Sequence, residues 1–274
     1  MAETAPVPAR DDAFAAGYAR HWGPVIRPAA EAVLDDLPGD PPANARILDV
    51  GTGTGTLALR ALTRWPGATV AAVDVSDAML ELARAEVGRR LAAGDRRRFR
   101  PVTAPADRLP FEDGAFDLAM SSFVLQLVAS RAAALREIHR VLRPGGRVAW
   151  VTWLAGAEPF RGDEIVDAVL DEFGFDPPEH NDPGDPASAA AAAQATRRAG
   201  FREVAARSAT LVHHWRAETY QRFITEYDEE GTFDSLEPGE RERAEHRLLE
   251  RLRSLAPGDL TMRLPLVYVT GVAR

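Results

Sequence analysis

A short apolar run that ends in three alternating glycines is the feature that most constrains the fold of this chain. Residues 47–50 have the composition of a buried β-strand, and Gly51, Gly53 and Gly55 follow directly. Glycine lets a backbone approach a ligand without a Cβ in the way, and the N-terminus of a helix offers unpaired N–H groups. Because a helix is predicted over 55–65, the segment indicates a ligand-binding turn between a strand and a helix.

Strands and helices alternate through the first half of the chain. Apolar strands are predicted at 46–50, 69–74, 99–103, 116–123 and 147–153. Continuous apolar strands separated by helices are typical of a parallel sheet that is covered on both faces. The sequence therefore predicts an α/β fold built on an open, mostly parallel sheet.

The rest of the chain is less regular and is expected to complete the same structural domain. Two further strands are predicted, at 201–215 and 263–272. We expect one domain with three parts: an N-terminal helical cover at 1–44, a ligand-binding core at 45–153, and the remaining strands with inserted lid helices at 154–274. The cover is predicted to be helical over 11–37, with a break near Gly23-Pro24.

Composition excludes several classes of protein. The chain has no cysteine and no lysine, and all 33 of its Lys+Arg residues are arginine. Thiolate metal sites, Schiff-base enzymes and Walker A loops are therefore excluded. A net charge of −8 argues against a general nucleic-acid partner. No apolar run reaches the roughly 20 residues that span a bilayer, and Met1–Arg10 does not have the pattern of a signal peptide, so a cytoplasmic location without membrane association is expected.

The spacing of the glycines and the positions of two later acids restrict the class of ligand that this chain can bind. The dinucleotide fingerprint needs a Gly or Ala at the position of Thr56, whereas the third glycine here is Gly55, which favours a loop around an amino-acid moiety over one that binds pyrophosphate. Asp74 ends the second strand, where a carboxylate can accept both ribose hydroxyls; the alternative is an acid that caps the next helix. Asp107 follows the third strand and can accept from an adenine amine; the alternative is a polar turn before Pro110.

These segments, with the helix–turn–strand pattern of residues 135–147, resemble the class I adenosylmethionine-dependent methyltransferases. The similarity is greatest to the group of ubiquinone/menaquinone-biosynthesis-like methyltransferases, and it is strong over about residues 45–153. The resemblance implies a Rossmann-like, seven-stranded sheet in the order 3-2-1-4-5-7-6, with helices on both faces and an inserted helical lid. It also implies S-adenosyl-L-methionine as the cofactor.

The resemblance assigns roles to residues of this chain. Asp49 and the glycine loop would hold the methionine part, with Thr52 where the family often has cysteine. Asp74 would take the ribose, Val75 and Ala106 would contact the adenine, and Asp107 would take its edge. Ser121, Ser122 and Phe123 would line the wall near the sulfonium. The full set implied to bind the cofactor is Tyr18, Asp49, Gly51, Thr52, Gly53, Gly55, Asp74, Val75, Met79, Ala106, Asp107, Ser122, Phe123 and Gln126.

A general base is harder to assign. Of the six histidines, His21 on the N-terminal cover and His180 in the proline-rich loop 174–186 are the candidates, although a spectator role for both is the stronger interpretation. No metal site is expected. The acceptor pocket is expected between the N-terminal helices and the inserted segments 154–200 and 216–262, whose aromatic residues suit an organic molecule.

The sequence thus predicts methylation of a small molecule at oxygen, nitrogen or carbon, with secondary metabolism as one setting. The main alternative is a non-catalytic protein that binds adenosylmethionine for regulation or as a scaffold. An NAD-dependent oxidoreductase and an RNA methyltransferase are weaker alternatives, because of the glycine spacing and the acidic charge respectively.

Overall fold

The fold is a seven-stranded sheet with helices on both faces. A computed structural model describes residues 12–175, 184–256 and 258–274. The strand order is β3-β2-β1-β4-β5-β7-β6, as the family resemblance implied. All neighbours are parallel except β7, which pairs antiparallel with β5 and with β6. The strands are β1 Arg46–Val50, β2 Thr69–Asp74, β3 Phe99–Thr103, β4 Phe116–Ser122, β5 Leu142–Trp153, β6 Arg202–His214 and β7 Thr261–Val272.

Helices connect these strands close to the predicted positions. The α-helices are α1 Asp12–Gly17, α2 Gly23–Glu31, α3 Thr56–Arg64, α4 Asp77–Arg90, α5 Arg131–Val141, α6 Arg161–Glu172, α7 Ala189–Arg198, α8 Ala217–Phe223, α9 Glu230–Asp234 and α10 Pro238–Arg253. The boundaries follow local chemistry: the side chain of Ser76 accepts from the backbone N–H of Met79 and caps α4.

Two segments of the lid and cover differ in detail from the sequence prediction. The N-terminal helix is interrupted by a π-helical turn, Tyr18–Trp22, and α2 begins at Gly23 with proline in its first turn. A second π-helical turn, Ile224–Asp228, follows α8. Such wide turns rotate side chains relative to an α-helix and are frequent at functional sites. Sequence periodicity does not distinguish them from ordinary helix.

The core lies in two layers, one on each face of the sheet. Adjacent β1 residues point to opposite layers, since Ile47 belongs to one cluster and Leu48 to the other. The layer that contains Ile47 also contains buried residues of α2, α3, α8 and α10. The cover and lid therefore pack on the same side as the helix that follows the glycine loop. The three-part division of the chain stays a prediction.

In the described ranges, no helix is long and apolar enough to cross a membrane.

Candidate functional site

A cavity of about 360 Å³ lies at the carboxyl ends of the parallel strands. Strands β2 and β3 lie on one side of β1, and β4 and β5 lie on the other. The strand order therefore reverses between β1 and β4, which is where open α/β sheets bind ligands. The cavity is lined by Tyr18, Trp22, Ile26, Gly51, Gly53, Asp74, Val75, Ser76, Met79, Ala104, Pro105, Ala106, Asp107, Ser122, Phe123, Val124, Gln126, Leu127, Val128, Ala129, Trp153 and Tyr227.

The three glycines of the loop have three different surroundings. All have positive φ, at +68° for Gly51, +54° for Gly53 and +82° for Gly55. A Cβ on Gly51 would lie 2.2 Å from the Val124 side chain, and one on Gly55 would lie 3.0 Å from Cβ of Ala83. A Cβ on Gly53 would meet nothing within 4 Å. Gly51 and Gly55 thus allow close packing, whereas Gly53 leaves an open cradle at the cavity wall.

Asp74 connects the second strand to the glycine loop. Its Oδ2 accepts from the backbone N–H of Gly53 at 2.8 Å, and its Oδ1 accepts from the backbone N–H of Ser76 at 3.0 Å. These bonds orient the carboxylate, which lines the cavity and, when ionised, is a hydrogen-bond acceptor. The geometry suits a diol such as a ribose.

Asp49 lies behind the glycine loop rather than on the cavity wall. The side chain is fully buried, and its Oδ2 accepts from the Thr52 hydroxyl at 2.7 Å. Oδ1 has no partner at normal hydrogen-bond geometry among the described residues, but the backbone N–H of Ala58 interacts with the carboxyl and lowers its pKa. Burial raises the pKa of Asp49 from an ordinary 3.8 to about 7, although the Thr52 hydrogen bond counteracts the shift. Asp49 therefore supports Thr52 from behind the glycine loop.

The raised pKa of Asp49 predicts how the stability of the ligand-free protein depends on pH. Between about pH 4 and pH 7 the unfolded chain has an ionised Asp49 while the folded chain keeps the proton. Asp49 therefore lowers the free energy of unfolding as the pH rises through this window. Asp49→Asn cannot ionise, so its urea midpoint should rise relative to the unmodified protein between pH 5 and pH 8. Parallel pH profiles for the two proteins would contradict the assignment.

The adenine side of the predicted site is apolar with one acid. Val75, Met79, Ala106 and Asp107 all line the cavity. Val75 is 51% exposed and Leu127, on the opposite loop, is 42% exposed. These are two of the three large hydrophobic residues that are exposed in the described ranges, and a flat ligand between the loops would cover both.

The other side of the cavity is aromatic, and we refer to its three rings, Trp22, Phe123 and Trp153, as the aromatic end. The ring centroids of Phe123 and Trp153 are 4.1 Å apart, and those of Trp22 and Trp153 are 6.1 Å apart. Tyr18 and Tyr227 close the cavity from the two π-helical turns, with centroids 6.3 Å apart. Sequence reasoning included Tyr18 and Phe123, and it expected Tyr227 among the aromatic residues of the inserted segment 216–262, but it missed Trp22 and Trp153. Trp153 could have been found from its place at the carboxyl end of β5.

Several predicted site residues lie apart from the main cavity. Thr52 lines a small adjoining pocket together with Tyr18 and Gly53. The backbone N–H of Thr52 donates to the Val73 carbonyl at 2.8 Å, which ties the loop to β2. Ser121 is buried and donates to the Val50 carbonyl at 2.8 Å, so it joins β4 to β1 beneath the cavity. Gly55 packs against α4.

The structure does not bring His21 to the cavity wall. Its Nε2 lies 3.0 Å from Oε2 of Glu226, and it joins the two π-helical turns. His180 lies outside the described residues. Across the described ranges, no group of three or more His, Asp or Glu side chains is placed to hold a metal ion.

Residues 48–150 match the protein family described as methyltransferase domain. The chain is 41% identical over 106 residues to the ubiquinone/menaquinone biosynthesis C-methyltransferase UbiE of Geotalea daltonii. The aligned residues make up 38% of this chain and 44% of that protein. It is 37% identical over 144 residues to the malonyl-[acyl-carrier protein] O-methyltransferase of Geobacter sulfurreducens, or 51% of each chain. The chain thus spans about half of these relatives' length.

Solved structures share the fold over nearly the whole chain. The phosphoethanolamine N-methyltransferase 2 of Haemonchus contortus has a TM-score of 0.57 at 16% identity, covering 96% of this chain and 57% of that one. The [4+2]-cyclase SpnF has a TM-score of 0.58 at 20% identity, covering 92% of this chain and 82% of that one. Residues 48–150 of this chain therefore match a methyltransferase domain and are similar to those of the ubiquinone/menaquinone C-methyltransferases, while the likeness to the solved structures shows that the fold is shared.

Proposed function

We propose that this chain transfers a methyl group from S-adenosylmethionine to a small organic molecule. The observation that carries the proposal is a single cavity with two chemically different sides. One side has the Gly53 cradle and the Asp74 carboxylate, and the other has the aromatic end. The loop after β4 lies between them, so a cofactor and an acceptor can meet there.

Each part of the cofactor has a matching group in the chain. Asp74 would accept the ribose hydroxyls, and Val75, Met79, Ala106 and Asp107 would hold the adenine. The open cradle of Gly53 suits the methionine part, and Asp49 would support the loop from behind through its hydrogen bond with Thr52. When bound, adenosylmethionine supplies a methyl group that its sulfonium has already activated for in-line displacement.

The described residues would act on the reaction mainly by positioning. Holding two reacting groups in line can contribute about 7–11 kcal/mol, and the aromatic rings would exclude water from the cavity. No histidine lines the cavity within the described ranges. Of the two predicted bases, His21 would have to leave Glu226 to reach the acceptor, and His180 stays a proposal.

A non-catalytic, adenosylmethionine-binding protein is the second candidate. The similar fold of a [4+2]-cyclase illustrates that this architecture does not by itself fix one reaction. Both candidates need the same cofactor residues, so binding measurements alone do not separate them.

Turnover separates the two functions. We expect adenosylhomocysteine to accumulate when the protein is incubated with adenosylmethionine and a metabolite extract, and a product heavier by one methylene to appear by mass spectrometry. The control is Asp74→Ala, which should reduce both signals at least tenfold when adenosylmethionine is kept well below its dissociation constant for the unmodified protein. Tight cofactor binding without turnover across extracts and pools of phenols, quinones and amines would favour the regulatory function instead.

A further inference from the structure

The two edges of the sheet are built differently. Strand β3 forms one edge and β6 forms the other. β3 has 5 residues, among them Arg100 and Pro101, and a short edge strand with a charge and a proline resists pairing with another chain. β6 has 13 residues, and its stretch 208–212 contains no charged residue, no proline and no glycine. The β6 edge therefore lacks the features that protect the β3 edge.

The ladder between β6 and β7 determines which backbone groups of β6 point away from the sheet. Trp215 N–H donates to the Leu260 carbonyl at 2.9 Å, so the odd-numbered residues from 205 to 213 form the hydrogen-bonded pairs with β7. On the other side of β7, Leu154 N–H donates to the Pro265 carbonyl at 2.9 Å, as this alternation requires. The β6 residues whose N–H and C=O groups point outward are therefore Ala206, Ser208, Thr210, Val212 and His214.

This outward edge is accessible and has a defined start. Among the described residues, none makes a hydrogen bond to the outward backbone groups from 206 to 214. Val212, the third exposed large hydrophobic residue, is 41% exposed. Before this stretch, the Val204 carbonyl accepts from the Arg197 guanidinium at 3.1 Å, and the ladder is irregular between Arg202 and Ala205. The free edge thus extends over 206–214, and Thr210 is at its centre.

A second copy of this edge is complementary to the first. Antiparallel pairing about a two-fold axis at Thr210 places outward residues opposite outward residues: 206 opposite 214, 208 opposite 212, and Thr210 opposite its own counterpart. Every outward N–H and C=O group over 206–214 then has a partner. A different centre would leave groups at the ends of the edge unpaired.

The charges along the edge are compatible with this pairing. Arg207 is the charged residue within 206–212; in its own chain it forms an ion pair with Asp36 at 2.8 Å and lies 4.0 Å from the centre of the Tyr268 ring. In the two-fold register Arg207 would lie opposite His213 of the second copy. Burial, together with the neighbouring His214, lowers the pKa of His213, so its imidazole is neutral at pH 7 and does not repel the arginine.

We propose that two copies of this chain associate through β6, paired antiparallel about Thr210, so that their sheets form one continuous sheet. β5 and β6 are both antiparallel to β7, so β6 has the direction of the parallel strands, and the two-fold axis would place the two cavities at opposite edges of the joined sheet. No residue of β6 lines the cavity in the part of the chain that the structure describes. The association is therefore independent of the proposed methyl transfer.

Sedimentation velocity of the full chain over a range of concentrations measures the association. Pairing along one edge gives an interface at the small end of the specific size range, so we expect a reversible dimer with a dissociation constant of about 10 μM. A protein that remains monomeric at about 100 μM would overturn the proposal, and would leave the edge to some other extended chain.

Opposite charges at the two-fold axis test the register. Thr210→Lys and Thr210→Glu each place like charges opposite one another, so each should weaken self-association at least about tenfold. An equal mixture of the two should associate about as well as the unmodified protein, because lysine then lies opposite glutamate. Thr210→Gln is long and polar without a charge, and should associate within about threefold of the unmodified protein.

The fold of these variants can be checked separately. Thr210 is exposed and its N–H points away from β7, so all three substitutions should leave the urea midpoint and the binding of adenosylhomocysteine unchanged. Self-association of Thr210→Lys that equals that of Thr210→Gln would overturn the proposed interface. A mixture of the lysine and glutamate variants that associates no better than either alone would overturn the two-fold pairing.

Discussion

Replacing Asp74 by alanine should weaken the binding of adenosylmethionine about a hundredfold, and by at least tenfold. A hydrogen bond to a charged group contributes about 1.5–3 kcal/mol, and the carboxylate is placed to accept two from a ribose. The change would also release the backbone N–H groups of Gly53 and Ser76, which Asp74 holds at 2.8 and 3.0 Å. Titration calorimetry with adenosylhomocysteine measures the loss directly.

Asp77→Ala is the matched control for this experiment. Asp77 is an exposed acid in the first turn of α4 and accepts from the Thr103 hydroxyl at 2.5 Å, outside the cavity. Its removal should change cofactor affinity by less than about twofold, as is usual for a surface site. Asp74→Asn keeps the shape of the side chain without its charge, so its cofactor affinity should lie between the affinities of Asp74→Ala and Asp77→Ala. Equal affinity in Asp74→Ala and the unmodified protein would refute the ribose assignment.

Replacing Gly51 by alanine should have the largest effect on stability of any change in the loop. A Cβ there would lie 2.2 Å from Cγ2 and 2.5 Å from Cγ1 of Val124, and the φ of +68° already disfavours a side chain. Left-handed backbone costs about 1–2 kcal/mol and overpacking about 1–3 kcal/mol. We therefore expect a loss of about 2–5 kcal/mol in the free energy of unfolding, measured by urea denaturation.

Two further variants separate the backbone strain at position 51 from the steric clash with the Val124 side chain. Val124→Ala in the Gly51→Ala background removes the atoms that the new methyl would meet, so it should restore part of the lost stability. Gly53→Ala has a similar φ of +54° but no neighbour within 4 Å. It should lose only about 1–2 kcal/mol, while its methyl fills the cradle and reduces cofactor affinity at least tenfold. If Gly51→Ala is no less stable than Gly53→Ala, the close packing against Val124 is not a constraint.

The strands and the glycine turn were accessible to sequence reasoning because their causes are local. Strands β1, β2 and β3 end where predicted, since each is an apolar run that stops at a glycine, an acid or a turn. The cap of α4 by Ser76 depends on residues only three positions apart. Asp74 and Asp107 share the cavity because parallel strands bring their carboxyl ends to one edge.

The histidine prediction illustrates the limit of such reasoning. His21 is a chemically suitable base on the right segment, yet its imidazole contacts Glu226, more than 200 positions away in the chain. That contact depends on how the π-helical turn 224–228 packs against the turn 18–22. The side-chain directions in both turns depend on a single extra residue per turn, which periodicity does not reveal.

The sequence by itself predicted the sheet, the side of the cavity with the glycine loop and Asp74, and the resemblance to methyltransferases, because short-range patterns and the parallel topology are sufficient for them. Only the tertiary structure decided the aromatic end of the cavity. Trp22, Trp153 and Tyr227 come from three distant segments and meet because the cover and lid pack over β4 and β5. The orientation of the Gln126 side chain likewise depends on the tertiary structure, because its Oε1 accepts from the hydroxyl of Thr152 on β5.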